Sequence, residues 1–376
     1  VATLAGRPGA SRIVAIDITA PADLGAPAGR SREGRSRKGR SREGRSRKGR
    51  SREGRPREGR SWEGVVDHHR IDLAASPVGP DPLAELLGGT DGVIHLAWTT
   101  GDGRAGGDVQ PAGEANLRAL RRVLRAAPAT AVVHLSSATV YGAWNDNAVP
   151  LTEDLPLRPN PGFDFAVQKA EAERIVAEWS AGHPGASVCV LRPCVTLGVP
   201  GRPLYQALGG TRAPGTGDGA RRVQFLHLDD LAAAVVFAWD HQLVGTFNVA
   251  PDSGTSDHVA RALSGGWARL RLPERVARGL GRLGWHLWRS GVPRPAQPYN
   301  LHPWVVAPDR LVAAGWQARF SSEEALVATD DRAHWDDLPP GRRQELTLLA
   351  GAGGALALLA ALATAARAWG RHHRRD

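Results

Sequence analysis

The sequence contains no methionine, and its only cysteines are Cys189 and Cys194. Two cysteines cannot make the disulfide framework that stabilises small secreted domains, so the composition favours a reducing compartment and we expect a cytoplasmic protein. The first residues show no basic segment followed by an apolar one, so a secretory signal peptide is not indicated. Because the chain starts with Val1, we expect either a start codon read as valine or an upstream segment.

Lysine and tyrosine are both scarce, which gives weight to the few that occur. The chain has 48 lysines and arginines together, but lysine stands only at positions 38, 48 and 169. Lys38 and Lys48 belong to a low-complexity repeat, so Lys169 is the single lysine of the remaining sequence. The three tyrosines, none of which lies at helical spacing from Lys169, are Tyr141, Tyr205 and Tyr299.

The net charge of +10 is concentrated in residues 29–63, which are seven pentads: five are GRSRE or GRSRK, and the last two are GRPRE and GRSWE. The pentads hold thirteen arginines, two lysines and five glutamates, so the remaining chain is neutral overall. They have almost no apolar side chain to bury, and we expect residues 29–64 to be disordered. One alternative is a basic arm for nucleic acid or acidic lipid; the other is an expanded coding repeat in a surface loop. The second is favoured and nucleic acid is disfavoured, because Trp62 is the only aromatic residue of the repeat.

Outside the repeat, short apolar runs rich in β-branched residues alternate with segments of helical periodicity. The predicted strands lie near residues 11–17, 68–73, 91–98, 130–137 and 186–193, and the predicted helices near 116–127 and 165–179. Near-continuous apolar strands separated by helices indicate a parallel sheet that is covered on both faces. We therefore predict an α/β fold with a Rossmann-type doubly wound sheet formed by residues 1–28 and 65–193, and we expect ligands at the carboxyl ends of its strands.

Beyond residue 193, glycine and proline become frequent and the predicted elements become shorter, which indicates a smaller, mainly substrate-side domain over residues 194–335. Residues 346–366 carry no charge and are long enough to span a bilayer, and a basic tail follows at 367–376. A membrane anchor is slightly favoured over an Ala/Leu helix packed on the domain. Since basic residues prefer the cytoplasm, where the catalytic part should also lie, a re-entrant or interfacial helix would remove the conflict of topology.

Nine segments then follow one another in an order that is typical of one family: VAID, RIDL, VIHLAW, VVHLSSATVYG, FAVQKAEAE, VLRP, VQFLHLDDLAAAV, GTFNVA and HPWVVAPDRLVAAGW. In these segments, from about residue 11 to residue 330, the chain resembles an extended short-chain dehydrogenase/reductase of the NAD-dependent epimerase/dehydratase family. The resemblance implies NAD as the cofactor and a small-molecule substrate, a sugar nucleotide or another alcohol or carbonyl compound. It leaves a homodimer open and implies no metal.

The resemblance places the cofactor at the ends of the strands. Asp17 ends the first predicted strand, where a carboxylate can accept hydrogen bonds from both adenosine ribose hydroxyls and would repel a 2′-phosphate, so NAD is favoured over NADP. The alternative for Asp17 is an ordinary acidic turn residue. The other implied positions are Asp72 and Leu73 at the adenine edge, and Leu96, Ala97 and Trp98 on the floor of the site, although Trp98 could equally be core.

The resemblance also implies most of a catalytic set. Ser137 matches the family hydroxyl that donates to a substrate carbonyl, although strand-end turn chemistry could also explain a serine there. Ala138 and Thr139 follow it where the sugar dehydratases of the family carry an Asp-Glu pair, so dehydration is disfavoured. Lys169 matches the lysine of the helical Tyr-x-x-x-Lys motif, which binds the nicotinamide ribose and lowers the pKa of the tyrosine. The alternative for Lys169 is a solvated helix residue.

The chain departs from the family pattern in two places. Phe165 occupies the position of the motif tyrosine and has no proton to give, so the ordinary proton relay cannot operate. The strand and Gly-x-x-Gly-x-x-Gly turn with which the family begins are not in the sequence, whose first ten residues resemble the end of the helix that follows them. We expect an upstream segment of roughly 30 residues, one βα unit, to supply them.

Two kinds of function remain open. The first is an NAD-dependent oxidoreductase or epimerase in which Thr139, Arg192 and Arg222 contact the substrate, with catalysis impaired at Phe165. The second is an atypical member of the family that binds NAD as a sensor without turnover, or a membrane-tethered interaction protein.

Overall fold

The computed structural model describes residues 13–17, 66–99, 109–128, 130–198, 221–251, 254–263 and 294–329. The pentad repeat at 29–64, the apolar stretch at 346–366 and the basic tail at 367–376 lie outside the described residues, and what the sequence predicts for them stays a prediction. Within the described part of the chain, no helix combines the length and the apolar character that crossing a membrane requires. The chain divides into two compact units, Val1–Ala325 and Leu326–Asp376, and all of the candidate site residues lie in the first.

A parallel sheet of four strands in the order β3-β4-β5-β9 forms the centre of the first unit. These strands are β3 (Val93–His95), β4 (Ala131–Leu135), β5 (Ser187–Pro193) and β9 (Gly245–Val249). Nearly every residue of β4 and β5 is buried, as expected for strands of a parallel sheet that is covered on both faces. The predicted α/β fold with a parallel sheet is therefore confirmed.

Two further strands, β1 (Ile13–Asp17) and β2 (Val66–Arg70), form a separate parallel pair. Their register places Asp17 opposite Arg70 at the carboxyl end of the pair. In the described ranges, no backbone ladder joins this pair to the four-stranded sheet, although the resemblance implies one continuous sheet. The first strand is the one predicted from the run VAID, and it begins two residues later than expected.

Three helices cover this region: α1 (Pro82–Leu87), α2 (Val109–Ala126) and α3 (Asp164–Gly182). Helices α2 and α3 lie close together where Gly113 faces Gln168, since a β-carbon at position 113 would stand 1.9 Å from the Gln168 amide nitrogen. Their apolar faces share one core cluster with β4 and β5. It consists of Leu120, Leu124, Val132, Ala172, Ile175, Val176, Val188 and Val190. The sheet and the two long helices are therefore held together by a continuous apolar contact, which fixes α3 against β4.

The remaining described elements follow β5 and are mostly short, as the sequence predicts. Strands β6 (Val195–Leu197) and β8 (Phe225–His227) pair in parallel, and β7 (Arg222–Val223) and β10 (Thr255–Ser256) pair antiparallel. The helices of this region are α4 (Leu228–Asp240), α5 (Asp257–Leu263), α6 (Pro298–Leu301), α7 (Asp309–Ala313) and α8 (Ser322–Ala328). The division between a cofactor domain and a substrate-side domain at residue 193 stays a prediction.

Candidate active site

The carboxyl end of β4 meets helix α3 at the residues that the sequence singles out. Strand β4 ends at Leu135, and Ser136 and Ser137 follow it directly. Lys169, one and a half turns into α3, donates from Nζ to the carbonyl oxygen of Leu135 at 2.7 Å. Lys169 is only 4% exposed, so the alternative of a solvated helix residue is wrong. The predicted pair of Ser137 and Lys169 is thus brought to one edge of the sheet.

The hydroxyl of Ser137 has both of its acceptor positions occupied by Thr139. Ser137 is the N-cap of a short 3-10 helix (Ala138–Tyr141), and its Oγ accepts from the Thr139 backbone N–H at 3.2 Å. The same Oγ accepts from the Thr139 hydroxyl at 3.0 Å. Because a serine hydroxyl has two lone pairs and one hydrogen, Ser137 is left with its own hydrogen to donate. The capping role and the predicted donor role are therefore compatible.

Thr139 is itself fixed from the far side of the chain. Its side chain is 2% exposed, and its backbone carbonyl accepts from the hydroxyl of Tyr299 at 2.7 Å. Burial raises the pKa of Tyr299 well above its usual range, so this phenol stays protonated. In the structure Thr139 is engaged with Ser137 through its backbone N–H and its hydroxyl. A substrate contact for Thr139 stays a prediction.

Phe165 lies one turn before Lys169 on the same face of α3, and no described tyrosine replaces its missing hydroxyl. Its ring packs against Phe163, with centroids 5.9 Å apart. The Tyr141 hydroxyl donates to Asn248 Oδ1 at 2.9 Å and accepts from Arg192 at 2.7 Å, and burial raises the pKa of Tyr141. Tyr141 is therefore committed elsewhere, as is Tyr299, while Tyr205 lies outside the described residues.

A buried ion pair stands directly behind the serines. Glu173, one turn after Lys169 on α3, receives two hydrogen bonds from Arg192 Nε, at 3.0 and 3.2 Å, and one from Nη2 at 2.6 Å. The hydroxyl of Ser136 also donates to Glu173. Arg192 is 6% exposed, and its three guanidinium nitrogens are engaged by Glu173 and Tyr141. A substrate contact for Arg192 stays a prediction. The spacing of Glu173 from Lys169 could have indicated a shared helix face, but not the partner.

The other cofactor positions predicted from the resemblance lie along the carboxyl ends of β1, β2 and β3. Leu96 and Ala97 follow β3 and are exposed, Leu96 to 46%. Asp17 is the last residue of β1. Asp72 lies two residues beyond β2, is exposed, and accepts from the Ala74 backbone N–H at 2.9 Å; Leu73 packs against the apolar cluster under α1. Their roles toward a cofactor stay predictions.

Trp98 combines the two alternatives that the sequence leaves open. It packs against the core cluster between α2, α3 and the sheet, so one part of the ring is core. The ring also lies 3.8 Å from Lys169 Nζ, measured to its centroid. The predicted floor residue is therefore a cover over the predicted catalytic ammonium.

Arg222 lies on β7, away from the end of β4 in the chain. Its Nη2 donates to the carbonyl oxygen of Gly254 at 2.8 Å, and its ladder partner is Ser256. The guanidinium is thus engaged with the neighbouring strand connection. A substrate contact for Arg222 stays a prediction.

Two buried histidines beneath the site were missed in the sequence. The ladder between β3 and β4 pairs His95 with His134, and their Nδ1 atoms stand 3.2 Å apart. Burial, and then the charge of Lys169, lowers the pKa of His95 to about 3 and holds the pKa of His134 far below its usual range. Both rings are therefore neutral at pH 7. Because the two residues stand 39 positions apart, only the strand register could have indicated the pair.

No group of three or more His, Cys, Asp or Glu residues in the described ranges could hold a metal ion. Among the described residues, those brought together at this edge include the Lys169 ammonium, the Ser137 hydroxyl and the exposed Leu96 and Ala97. Such a set can bind a polar ribose and polarise a carbonyl, but it includes no group that transfers a proton near neutral pH.

Comparisons with known proteins give the family of the chain and relatives of its fold. The sequence model of the NAD dependent epimerase/dehydratase family matches residues 41–250, more than half of the 376 residues. An uncharacterized protein of Sinorhizobium fredii is 33% identical over 129 residues, which are 33% of this chain and 31% of that protein. The dTDP-glucose 4,6-dehydratase of Streptomyces niveus is 27% identical over 275 residues, 69% of this chain and 76% of the relative. The chain thus spans about a third of the first of these relatives and about three quarters of the second.

Solved structures show the same fold. UDP-glucuronic acid 4-epimerase from Bacillus cereus, in complex with NAD, superposes with a TM-score of 0.51 at 20% identity and covers 74% of this chain and 83% of its own. UDP-glucose 4-epimerase from Thermus thermophilus, also with NAD, gives a TM-score of 0.52 at 21% identity, covering 72% and 86%. Both similarities concern the fold alone. With the family match over more than half of its length, the chain belongs to the NAD-dependent epimerase/dehydratase family.

Proposed function

We propose that the protein is an NAD-dependent oxidoreductase or epimerase that acts on a sugar nucleotide, or on another small alcohol or carbonyl compound, with proton transfer impaired at Phe165. The observation that carries the proposal is the Ser137 hydroxyl, which has its acceptor positions filled by Thr139 and its hydrogen left to donate. Relatives that act on sugar nucleotides, such as the dTDP-glucose dehydratase, support the substrate class.

The family's cofactor is NAD, and the donor set at the carboxyl edge fits a dinucleotide. Lys169 would hold the nicotinamide ribose, the exposed Leu96 and Ala97 would face its rings, and Asp17 would accept from the adenosine ribose. An ammonium can donate to ribose hydroxyls, and a carboxylate can accept from them. When bound, NAD supplies the acceptor for a hydride; the chain's residues bind, orient and polarise.

Ser137 would donate its hydrogen to the reacting oxygen of the substrate. This hydrogen bond strengthens as negative charge develops on that oxygen, so it stabilises the transition state more than the ground state. Ala138 and Thr139 offer no carboxylate beside Ser137, and both are buried. We therefore favour oxidoreduction or epimerisation over the elimination of water that a dehydratase performs.

Phe165 is the reason for expecting slow turnover. A positioned acid or base contributes about 10²- to 10⁴-fold to a rate, and no tyrosine in the described part of the chain offers a free hydroxyl here. Water that reaches the substrate would have to move the proton in its place. A Tyr at position 165 would lie i−4 from Lys169, whose charge would lower the pKa of the new phenol.

The experiment compares four proteins: the unmodified chain, Phe165→Tyr, Lys169→Met, and the double variant. NADH absorbance is followed across a panel of sugar nucleotides and small alcohols. We expect Phe165→Tyr to raise turnover by about 10²- to 10⁴-fold, and the gain to vanish in the double variant, where the phenol lacks its ammonium. Equal, substantial rates in the unmodified chain and Phe165→Tyr would refute the proposed role of Phe165.

The second candidate is an NAD-binding sensor without turnover, alone or tethered to a membrane through residues 346–366. It is favoured by the engagement of both tyrosines near the site, Tyr141 with Asn248 and Tyr299 with Thr139. NAD binding without a rate in any of the four proteins would support it. Sedimentation of the full-length chain with membranes, reversed by detergent, would support the tethered form.

A further inference from the structure

The ammonium of Lys169 is enclosed on two sides. On one side it donates to the Leu135 carbonyl at 2.7 Å, and on the other the ring centroid of Trp98 stands 3.8 Å away. A cation at this distance from an indole face is attracted by the ring quadrupole, and the attraction grows when the pair is shielded from water. The residue that should meet the cofactor ribose is therefore covered by a side chain of its own protein.

Contacts on two sides fix the position of Trp98. The next residue, Thr99, is held by the buried amide of Asn116, which receives the Thr99 N–H at 2.9 Å and donates to the Thr99 carbonyl at 2.8 Å. This two-way clamp joins the segment after β3 to helix α2. The indole packs from the other direction on the apolar cluster of α2, α3 and the sheet.

The covered arrangement also leaves one polar atom unsatisfied. Trp98 Nε1 is buried and has no hydrogen-bond partner among the described residues. An indole N–H deprived of a partner is unfavourable, and water or a ligand acceptor would satisfy it if the ring turned outward. A cation–π contact and apolar packing thus stabilise the indole over Lys169, and the unsatisfied Nε1–H group destabilises this position.

We propose that Trp98 is a positioning residue that covers Lys169, so that the indole and the cofactor ribose compete for the same ammonium. The competition rests on the proposed function, because it assumes that Lys169 binds the cofactor. The contact between Trp98 and Lys169 does not depend on that function. Trp98 would then set the cofactor affinity of the protein without touching the reacting atoms.

The first test uses the scarcity of lysine. The full chain is treated with an amine-acetylating reagent, and acetylation of Lys169 is followed by mass spectrometry relative to Lys38 and Lys48, which are its only other lysines. Trp98→Leu keeps an apolar side chain but removes the aromatic face, and we expect it to raise Lys169 labelling about 2- to 30-fold. Trp98→Phe keeps a ring that attracts the cation less strongly, so its Lys169 labelling should lie between those of the unmodified protein and Trp98→Leu. Trp144→Leu is the matched control, because that ring faces Arg158 rather than Lys169.

Labelling that is unchanged in folded Trp98→Leu would overturn the cover. Should Trp98→Leu fail to fold, Trp98→Phe decides through its own labelling, because phenylalanine attracts a cation less strongly than tryptophan does. Faster labelling of Lys169 in Trp98→Phe than in the unmodified protein would support the cover, and an equal or slower rate would overturn the proposal.

The second test measures NAD affinity in a double-mutant cycle of Trp98→Leu with Lys169→Met. Competition predicts that Trp98→Leu tightens NAD binding about 2- to 30-fold when Lys169 is present and leaves it unchanged with Met at position 169. Weaker binding in Trp98→Leu, or the same change in both backgrounds, would overturn the competition. Faster labelling together with no NAD binding in any variant would keep the cover and refute the proposed function instead.

Discussion

Neutralising Glu173 should destabilise the protein strongly, because it leaves a buried guanidinium without its counter-charge. The side chains of Glu173 and Arg192 are each 7% exposed. Breaking such a pair by removing one partner costs about 3–5 kcal/mol. In Glu173→Gln the amide oxygen can still accept one hydrogen bond and Tyr141 stays in place, so we expect about 3 kcal/mol, the lower end of that range. At about 2.1 cal/mol/K of unfolding entropy per residue, that corresponds to a fall in Tm of about 4 °C for a chain of 376 residues.

Thermal unfolding followed by circular dichroism measures this effect, with Glu171→Gln as the matched control. Glu171 stands two residues earlier on α3 and pairs with Arg174 and Arg121 at the surface, where an ion pair contributes about 0–1 kcal/mol. The double variant Glu173→Leu/Arg192→Met should recover much of the lost stability, because neither charge is then left unpaired. Equal Tm values for Glu173→Gln and Glu171→Gln would refute the reasoning.

Two further predictions concern acid. The pKa of His95 lies near 3 in the folded protein and near 6.5 when unfolded. The neutral His95 ring therefore contributes fully to stability above pH 6.5, and this contribution is lost as the pH falls toward 3. The pKa of His134 is also lowered, so His134 acts in the same direction. Urea unfolding at several pH values should show this loss in the unmodified protein and a flatter dependence in His95→Leu/His134→Leu, and parallel curves would contradict it. Hydrogen bonds from Arg122 lower the pKa of Asp81 to about 2 from 3.8. The Asp81 carboxylate therefore contributes fully to stability above pH 3.8, and this contribution is lost between pH 3.8 and pH 2. Asp81→Asn should remove this part of the acid dependence, and an unaltered loss of stability in acid would argue against it.

The parallel sheet and helix α3 could be predicted from local sequence, whereas Ser137 and Lys169 were singled out through the family resemblance. The runs AVVHL and SVCVLRP are apolar almost throughout, and only a strand buried on both faces tolerates such composition in a parallel sheet. The start and end of α3 were expected within three residues of where they lie, because the helical period is carried by residues close together in the chain.

The partners of Arg192 and Trp98 could not be predicted, because they depend on packing between distant elements. The family resemblance predicts a substrate contact for Arg192. In the structure, Glu173 of α3 accepts from Arg192 of β5. For Trp98 the sequence leaves a core residue and a residue on the floor of the cofactor site as alternatives. In the structure Trp98 packs on the core while its ring faces Lys169. Local spacing carries no information on either contact.

The claim that Lys169 is the centre of an NAD site is tested most directly by calorimetric titration of NAD into the unmodified chain and into Lys169→Met. The account predicts binding to the unmodified chain and an affinity about 10- to 100-fold lower in Lys169→Met, since one charge-assisted hydrogen bond is lost. Equal, measurable affinities in the two proteins would contradict the role of Lys169.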